Sequence, residues 1–118
     1  MISRVQWSGD AERELARALP STILAIVAAE VARGQSMLWQ CEDGAHRAYC
    51  VTRVDANPTE FVIVAFAGTG MHKFAGEFIQ AASSRGIPMR AHTVSPIVAR
   101  LIRRFGFRPA EFVLRRAA

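Results

Sequence analysis

Apolar residues in this chain come in short runs whose spacing changes several times, and each change marks an element. Residues 2–7 alternate weakly between apolar and polar, which predicts a first strand. Ser8 or Asp10 then offers a side-chain oxygen to the free amides of a helix start, and Glu12 and Glu14 fall favourably in its first turn. Pro20 interrupts that helix and Ser21 or Thr22 restarts it. Ile23, Ile26, Val27 and Val31 form the stripe of the second helix, and Gly34 stops it. Residues 36–42 and 45–54 read as the arms of a hairpin about Asp43-Gly44. One face of it carries Met37, Trp39, Cys41, His46, Ala48 and Cys50, the other Leu38, Gln40, Arg47, Tyr49 and Val51, with the first expected to be the more buried.

Residues 60–66 are apolar at nearly every position, as in a central strand covered on both faces. Past them the spacing turns helical, with Met71, Phe74, Ala75, Phe78, Ile79 and Ala82 on one stripe and Gly86 at its end. Residues 88–94 predict a further strand. Ser95-Pro96 opens a helix that Gly106 closes, and residues 111–115 give a last strand. The order is β-α-α-β-β-β-α-β-α-β, an α/β (α+β) chain with a mixed central sheet of about six strands flanked by helices.

A chain of 118 residues, 51% hydrophobic, holds one domain, residues 1–118, with a core that needs no metal or disulfide. A two-residue turn at Asp43-Gly44 sets Cys41 opposite His46 and Cys50 opposite Met37. The two sulfurs then stand about 13 Å apart along the strands, beyond disulfide reach, so both are expected to be reduced thiols. The longest apolar run, residues 23–29, is too short to cross a bilayer, and the first residues lack the layout of a secretory signal; the cytoplasm is the expected location. No pair of histidines or cysteines has the spacing of a zinc site, so no metal is expected.

Charge changes the picture more than size does. The net charge is +5, but residues 1–84 hold seven basic and nine acidic side chains, whereas residues 85–118 hold eight arginines against Glu111 alone. A polyanion is the matching partner, whether a phosphate-rich cosubstrate or nucleic acid, and a solvated arginine surface is the plain alternative. Arg100 and Arg104 share one helix face with Arg103 beside them, a candidate for nucleic acid or for the ribose phosphate of a cofactor. The run Phe66-Ala67-Gly68-Thr69-Gly70-Met71 joins the central strand to a helix. Free amides and the helix dipole favour an anion at such a junction, glycine allows close approach, and His72 and Lys73 follow in the first helical turn.

These elements resemble the GNAT N-acetyltransferase superfamily over nearly the whole chain. In that family a loop of the form Arg/Gln-x-x-Gly-x-Gly/Ala holds the coenzyme A pyrophosphate. Gly68 and Gly70 fill its glycine positions, with Ala65 where the family has Arg or Gln; a register shifted by two residues uses Gly70, with His72 at the final small position and Ala67 at the first. A second family signature, Asn-x-x-Ala-x-x-Leu-Tyr-x-x-x-Gly-Phe, is met by Ser95, Val98, Leu101, Ile102, Gly106 and Phe107. Ile102 stands where the family's tyrosine protonates the leaving thiolate, and isoleucine donates no proton.

The resemblance implies an acyl-CoA-dependent N-acyltransferase, with acetyl-CoA or another acyl-CoA as cosubstrate and an amine acceptor that attacks the thioester directly. Phe66, Ala67, Gly68, Thr69, Gly70, Met71, His72, Lys73, Ser95 and Arg100 are the residues it implies for binding the cosubstrate. Glu60, at the start of the central strand, and Tyr49 are the catalytic candidates, with Cys41, His46 and His92 on neighbouring strands behind them. The alternative is a catalytically inactive member of the fold that binds nucleic acid or a protein partner through its arginine-rich C-terminal half. A third reading is a basic acyltransferase-like enzyme acting on nucleic acid. A homodimer is an assembly the sequence allows.

Overall fold

A computed structural model describes residues 1–56, 59–91 and 103 of the chain. Its elements run β1 (Ile2–Val5), α1 (Gly9–Ala16), α2 (Ser21–Ala32), β2 (Met37–Glu42), β3 (Arg47–Asp55), β4 (Glu60–Gly68), α3 (Met71–Ser84) and β5 (Met89–Ala91). The five strands lie in one mixed sheet in sequence order. The first four are antiparallel neighbours, and β5 returns parallel to β4 after the α3 crossover. This is the flanked mixed sheet expected from the sequence. The second half of the strand expected at 88–94, the helix opened by Ser95-Pro96 and the strand at 111–115 fall outside the described residues.

The caps are local chemistry. Ser8 Oγ accepts from the Ala11 amide at 3.2 Å and starts α1. Pro20 follows as the residue before α2, where its missing amide costs nothing. One face of the sheet packs Leu38, Tyr49, Val51, Ala65 and Ala67 against Ala11 and Leu15 of α1 and Val27 of α2. The other packs Cys41, Ala48, Cys50, Phe61, Ile63 and Phe66 against Phe74 and Phe78 of α3. Phe78 meets Trp39 edge-on at 6.0 Å and stacks on Phe61 at 6.2 Å. Full burial of a ring such as Phe74 contributes about 3 kcal/mol. Thr52, buried between apolar neighbours, accepts from Trp39 Nε1 at 2.8 Å, which satisfies both polar groups.

Three expectations need correction. The hairpin loop spans four residues, not two: Glu42 pairs with Arg47, so Cys41 stands opposite Ala48 and Cys50 opposite Trp39. Asp43 Oδ1 takes the amides of Ala45 and His46 at 3.0 and 2.7 Å, an Asx turn that lengthens the loop. Both cysteines are buried and free, as expected. Secondly, the hairpin has no solvated face, because Leu38, Tyr49 and Val51 are as buried as Cys41, Ala48 and Cys50. Thirdly, α2 turns Leu24, Val27 and Val31 inward and leaves Ile23 and Ile26 41% and 54% exposed.

Candidate functional site

β4 carries four of the sequence candidates, Glu60 at its start and Phe66, Ala67 and Gly68 at its end. A bulge divides it. Val51 pairs with Ala65 and Thr52 with Ile63, so Val64 is an extra residue with no partner on β3, and Val64 and Ala65 both reach the face covered by α1 and α2. Below the bulge, β5 pairs with Phe61, Val62 and Ile63. Above it, β4 runs to Gly68 and the turn that starts α3.

That turn is fitted closely to the hairpin. Thr69 donates its amide to the Arg47 carbonyl at 3.0 Å and accepts the Arg47 amide on its hydroxyl at 3.2 Å. A Cβ on Gly68, whose φ is 129°, would meet the Arg47 carbonyl at 2.4 Å and Ala48 Cα at 2.6 Å. On Gly70, at φ 78°, it would meet the His46 Cβ at 2.6 Å. Both glycines are therefore required by the packing of this turn on the hairpin, whatever else the turn does. Gly70 is the N-cap of α3 and has no side chain to satisfy its amides. The amides of Gly70 and Met71 donate to no group among the described residues, so the positive end of the α3 dipole carries open donors. Gly68, Thr69, His72 and Lys73 are exposed there.

Lys73 is engaged with the hairpin tip. Its Nζ lies 2.6 Å from Asp43 Oδ2, and this bond, with the amides of His46 and Ala45, holds the Asp43 carboxyl down at about 2. The same pair raises the Lys73 ammonium above its ordinary value. A cleft of about 240 Å³ lies beside this latch, lined by residues 42–47 and Thr69.

Glu60 stands at the other end of β4, eight residues from Gly68 and about 26 Å away at the strand rise. It belongs to a chain of charges on the α2 face: Glu30 to Arg53 at 3.6 Å, Arg53 to Asp55 at 2.6 Å, Asp55 to Arg90 at 2.7 Å and Arg90 to Glu60 at 3.4 Å. Ser36 Oγ adds a bond to Glu30 at 3.2 Å. Arg53 first, then Arg90, keeps the Asp55 carboxyl below its ordinary value. The chain links α2, β3, β4 and β5, residues distant in sequence that single-sequence reading had no means of joining.

Tyr49 lies beside Ala67 on the α1 face, 5% exposed, and its hydroxyl accepts from Arg47 Nη2 at 3.2 Å. Six residues of β3 separate it from Asp55, the partner of Glu60, about 20 Å, so Tyr49 and Glu60 do not serve one reacting atom. Burial first, then Glu77, pushes the Cys41 thiol up to about 11, and burial pushes Cys50 well above its usual range, which leaves both as neutral thiols. The structure thus brings Tyr49 beside Ala67 in the run Phe66 through Lys73 and sets Glu60 apart from both. Arg103 is exposed; Ser95, His92, Arg100 and Arg104 lie outside the described residues. Among the described residues no three His, Cys, Asp or Glu side chains form a metal-holding group, and no helix is long and apolar enough to cross a membrane.

No protein-family model matches this chain, and no curated protein matches it. Among solved structures, it is similar to the crystal structure of a predicted acetyltransferase with acetyl-CoA from Clostridium acetobutylicum. The two are 12% identical, the match covers 99% of this chain and 96% of that one, and the TM-score is 0.54. At that identity the likeness is one of fold. Among the described residues the chain is mixed α+β, a five-strand sheet flanked by helices, and its fold is similar to that of this acetyltransferase.

Proposed function

We propose that the protein is an acyl-CoA-dependent N-acyltransferase in which an amine attacks an acyl thioester directly. The observation that carries this reading is the junction at Gly70. A central strand with a bulge runs into a glycine turn, and the first amides of α3 are left open there for an anion. The neighbour's acetyl-CoA supports the same class of cosubstrate.

In this reading Gly70 and Met71 donate their amides to the diphosphate, and Thr69, His72 and Lys73 border it. Phe66 and Ala67 flank the pantetheine, and Ser95 and Arg100 complete the set. The chemistry is an exchange of bonds at the acyl carbon. The amine nitrogen forms a C–N bond, the C–S bond breaks, the nitrogen loses a proton and the thiolate gains one. Placement and main-chain donors supply the acceleration, since Ile102 offers no acid. Of the two proton-transfer candidates, Glu60 lies at the far end of β4 from the glycine turn and Tyr49 lies beside Ala67 next to it. Glu60 is already committed to Arg90, while Tyr49 retains a hydroxyl hydrogen.

Met71→Glu tests the anion site without disturbing the helix, because an acid in the first turn suits the dipole. The unliganded variant is expected to melt like the wild type and to bind acetyl-CoA at least about tenfold more weakly, a loss of about 1.4 kcal/mol. Equal affinity in the two proteins, measured by titration calorimetry, contradicts the placement of the diphosphate.

A further inference from the structure

A second cleft, of about 270 Å³, opens on the other face of the sheet between α1 and the start of β3, lined by Asp10, Arg13, Glu14, Arg47 and Tyr49. Its α1 wall carries two carboxylates four residues apart. Such a like-charged pair repels. Each is offset by an exposed arginine three residues on, Asp10 by Arg13 and Glu14 by Arg17 at 3.5 Å. Pairs of that kind contribute little in water. Arg13 lines this wall too, paired with Asp10, whereas Arg17 does not, so the wall holds one more acid than base and favours a cation between Asp10 and Glu14.

The β3 wall has the opposite character. Arg47 donates to the Tyr49 hydroxyl, its guanidinium carbon lies 5.8 Å from the centre of the tyrosine ring, and that bond keeps it charged, with Glu42 and Asp10 adding to the effect. Tyr49 is almost fully buried, and its hydroxyl hydrogen meets no acceptor among the described residues. Tyr49 lines the cleft, so that hydrogen is available to a bound acceptor. Arg47 and the Tyr49 hydroxyl together present the paired donors that suit the two oxygens of a carboxylate.

We propose that this cleft binds a small zwitterion of the amino-acid class. Its carboxylate rests on Arg47 and the Tyr49 hydroxyl, and its ammonium lies between Asp10 and Glu14. Cations and anions on the two walls balance, so a compound with one charge of each sign fits better than a compound with either alone. Tyr49 is the register partner of Ala67 on β4, which places the cleft next to the strand that carries the glycine turn. The assignment of this zwitterion as the acyl acceptor rests on the acyltransferase reading; the binding site itself does not.

Titration calorimetry on the unliganded protein tests it, using glycine, β-alanine, γ-aminobutyrate and lysine against butylamine and butyrate as singly charged controls. At least one zwitterion is expected to bind saturably and about tenfold more tightly than either control, and Arg47→Gln and Glu14→Gln are each expected to weaken it about tenfold. Arg47 is exposed and Glu14 half-buried, and unchanged melting temperatures will show that the fold is intact. Tyr49→Phe is expected to weaken binding as well, through loss of the hydroxyl donor. Zwitterion binding no tighter than that of the controls, or unchanged by Arg47→Gln and Glu14→Gln, overturns the proposal. Acetyl-CoA is absent from the assay, so failure to bind acetyl-CoA removes only the acyltransferase reading, and failure to bind a zwitterion removes only this one.

Discussion

The two ends of β4 are held by different forces. At the Glu60 end the strand is gripped from both sides, by β3 and by β5, and a row of side-chain ion pairs from Glu30 to Glu60 ties helix and strands together. At the Gly68 end the ties are main-chain ones. Gly68 and Gly70 lie against Arg47, Ala48 and His46 with no room for a Cβ, and one ion pair, Lys73 to Asp43, crosses from helix to hairpin. The bulge at Val64 separates the two regimes. Side-chain ties consume the charges they use, whereas the backbone fit leaves the amides of Gly70 and Met71 open. That contrast is why the ligand site is placed at the glycine end and not beside Glu60.

The comparison can be broken most directly at Gly68. Gly68→Ala forces a Cβ into the Arg47 carbonyl at a φ that side chains avoid, and is expected to cost about 3 kcal/mol of stability in chemical unfolding. A cost near zero contradicts the close backbone fit. At the other end, Arg90→Met leaves Asp55 and Glu60 without their shared partner. It is expected to lower the melting temperature by a few degrees at low salt and by less at high salt, because partly exposed charges are screened. A salt-independent loss points to packing in place of charge.

The smallest effect belongs to the latch. Asp43 has its folded value depressed to about 2 by Lys73 first and then by the loop amides. Its contribution is fully present above the ordinary value of 3.8 and is lost as pH falls from there towards 2. Asp43→Asn is therefore expected to flatten the acid limb of the stability profile between about pH 4 and 2 and to change nothing at pH 7 beyond the lost pair. An unaltered acid limb contradicts the latch.

Much of this was legible from residue order, and the misreadings have physical causes. The β4 run, the α3 stripe ending at Gly86, the Ser8 cap and the break at Pro20 each follow from local chemistry that nothing distant overrides. The hairpin register was hidden because Asp43 uses its own side chain to close a four-residue loop, which Asp-Gly alone does not reveal. The inward stripe of α2 was hidden because apolar residues surround the helix, so spacing alone did not choose Leu24 over Ile23 or Ile26. The Val64 bulge had no signature, since a strand covered on both faces shows no alternation to interrupt. The glycine turn was found, but its fit against His46 and Arg47 required the fold.

Acyl-CoA binding at the glycine end of β4 is the central claim, and a melting curve with and without acetyl-CoA reads it directly. With ligand raised to about 1 mM, the top of the usual KM range, a site filled a hundredfold over its Kd is expected to add about 2.7 kcal/mol and to move the midpoint up by roughly 10 °C. A midpoint that does not move at that concentration contradicts the account.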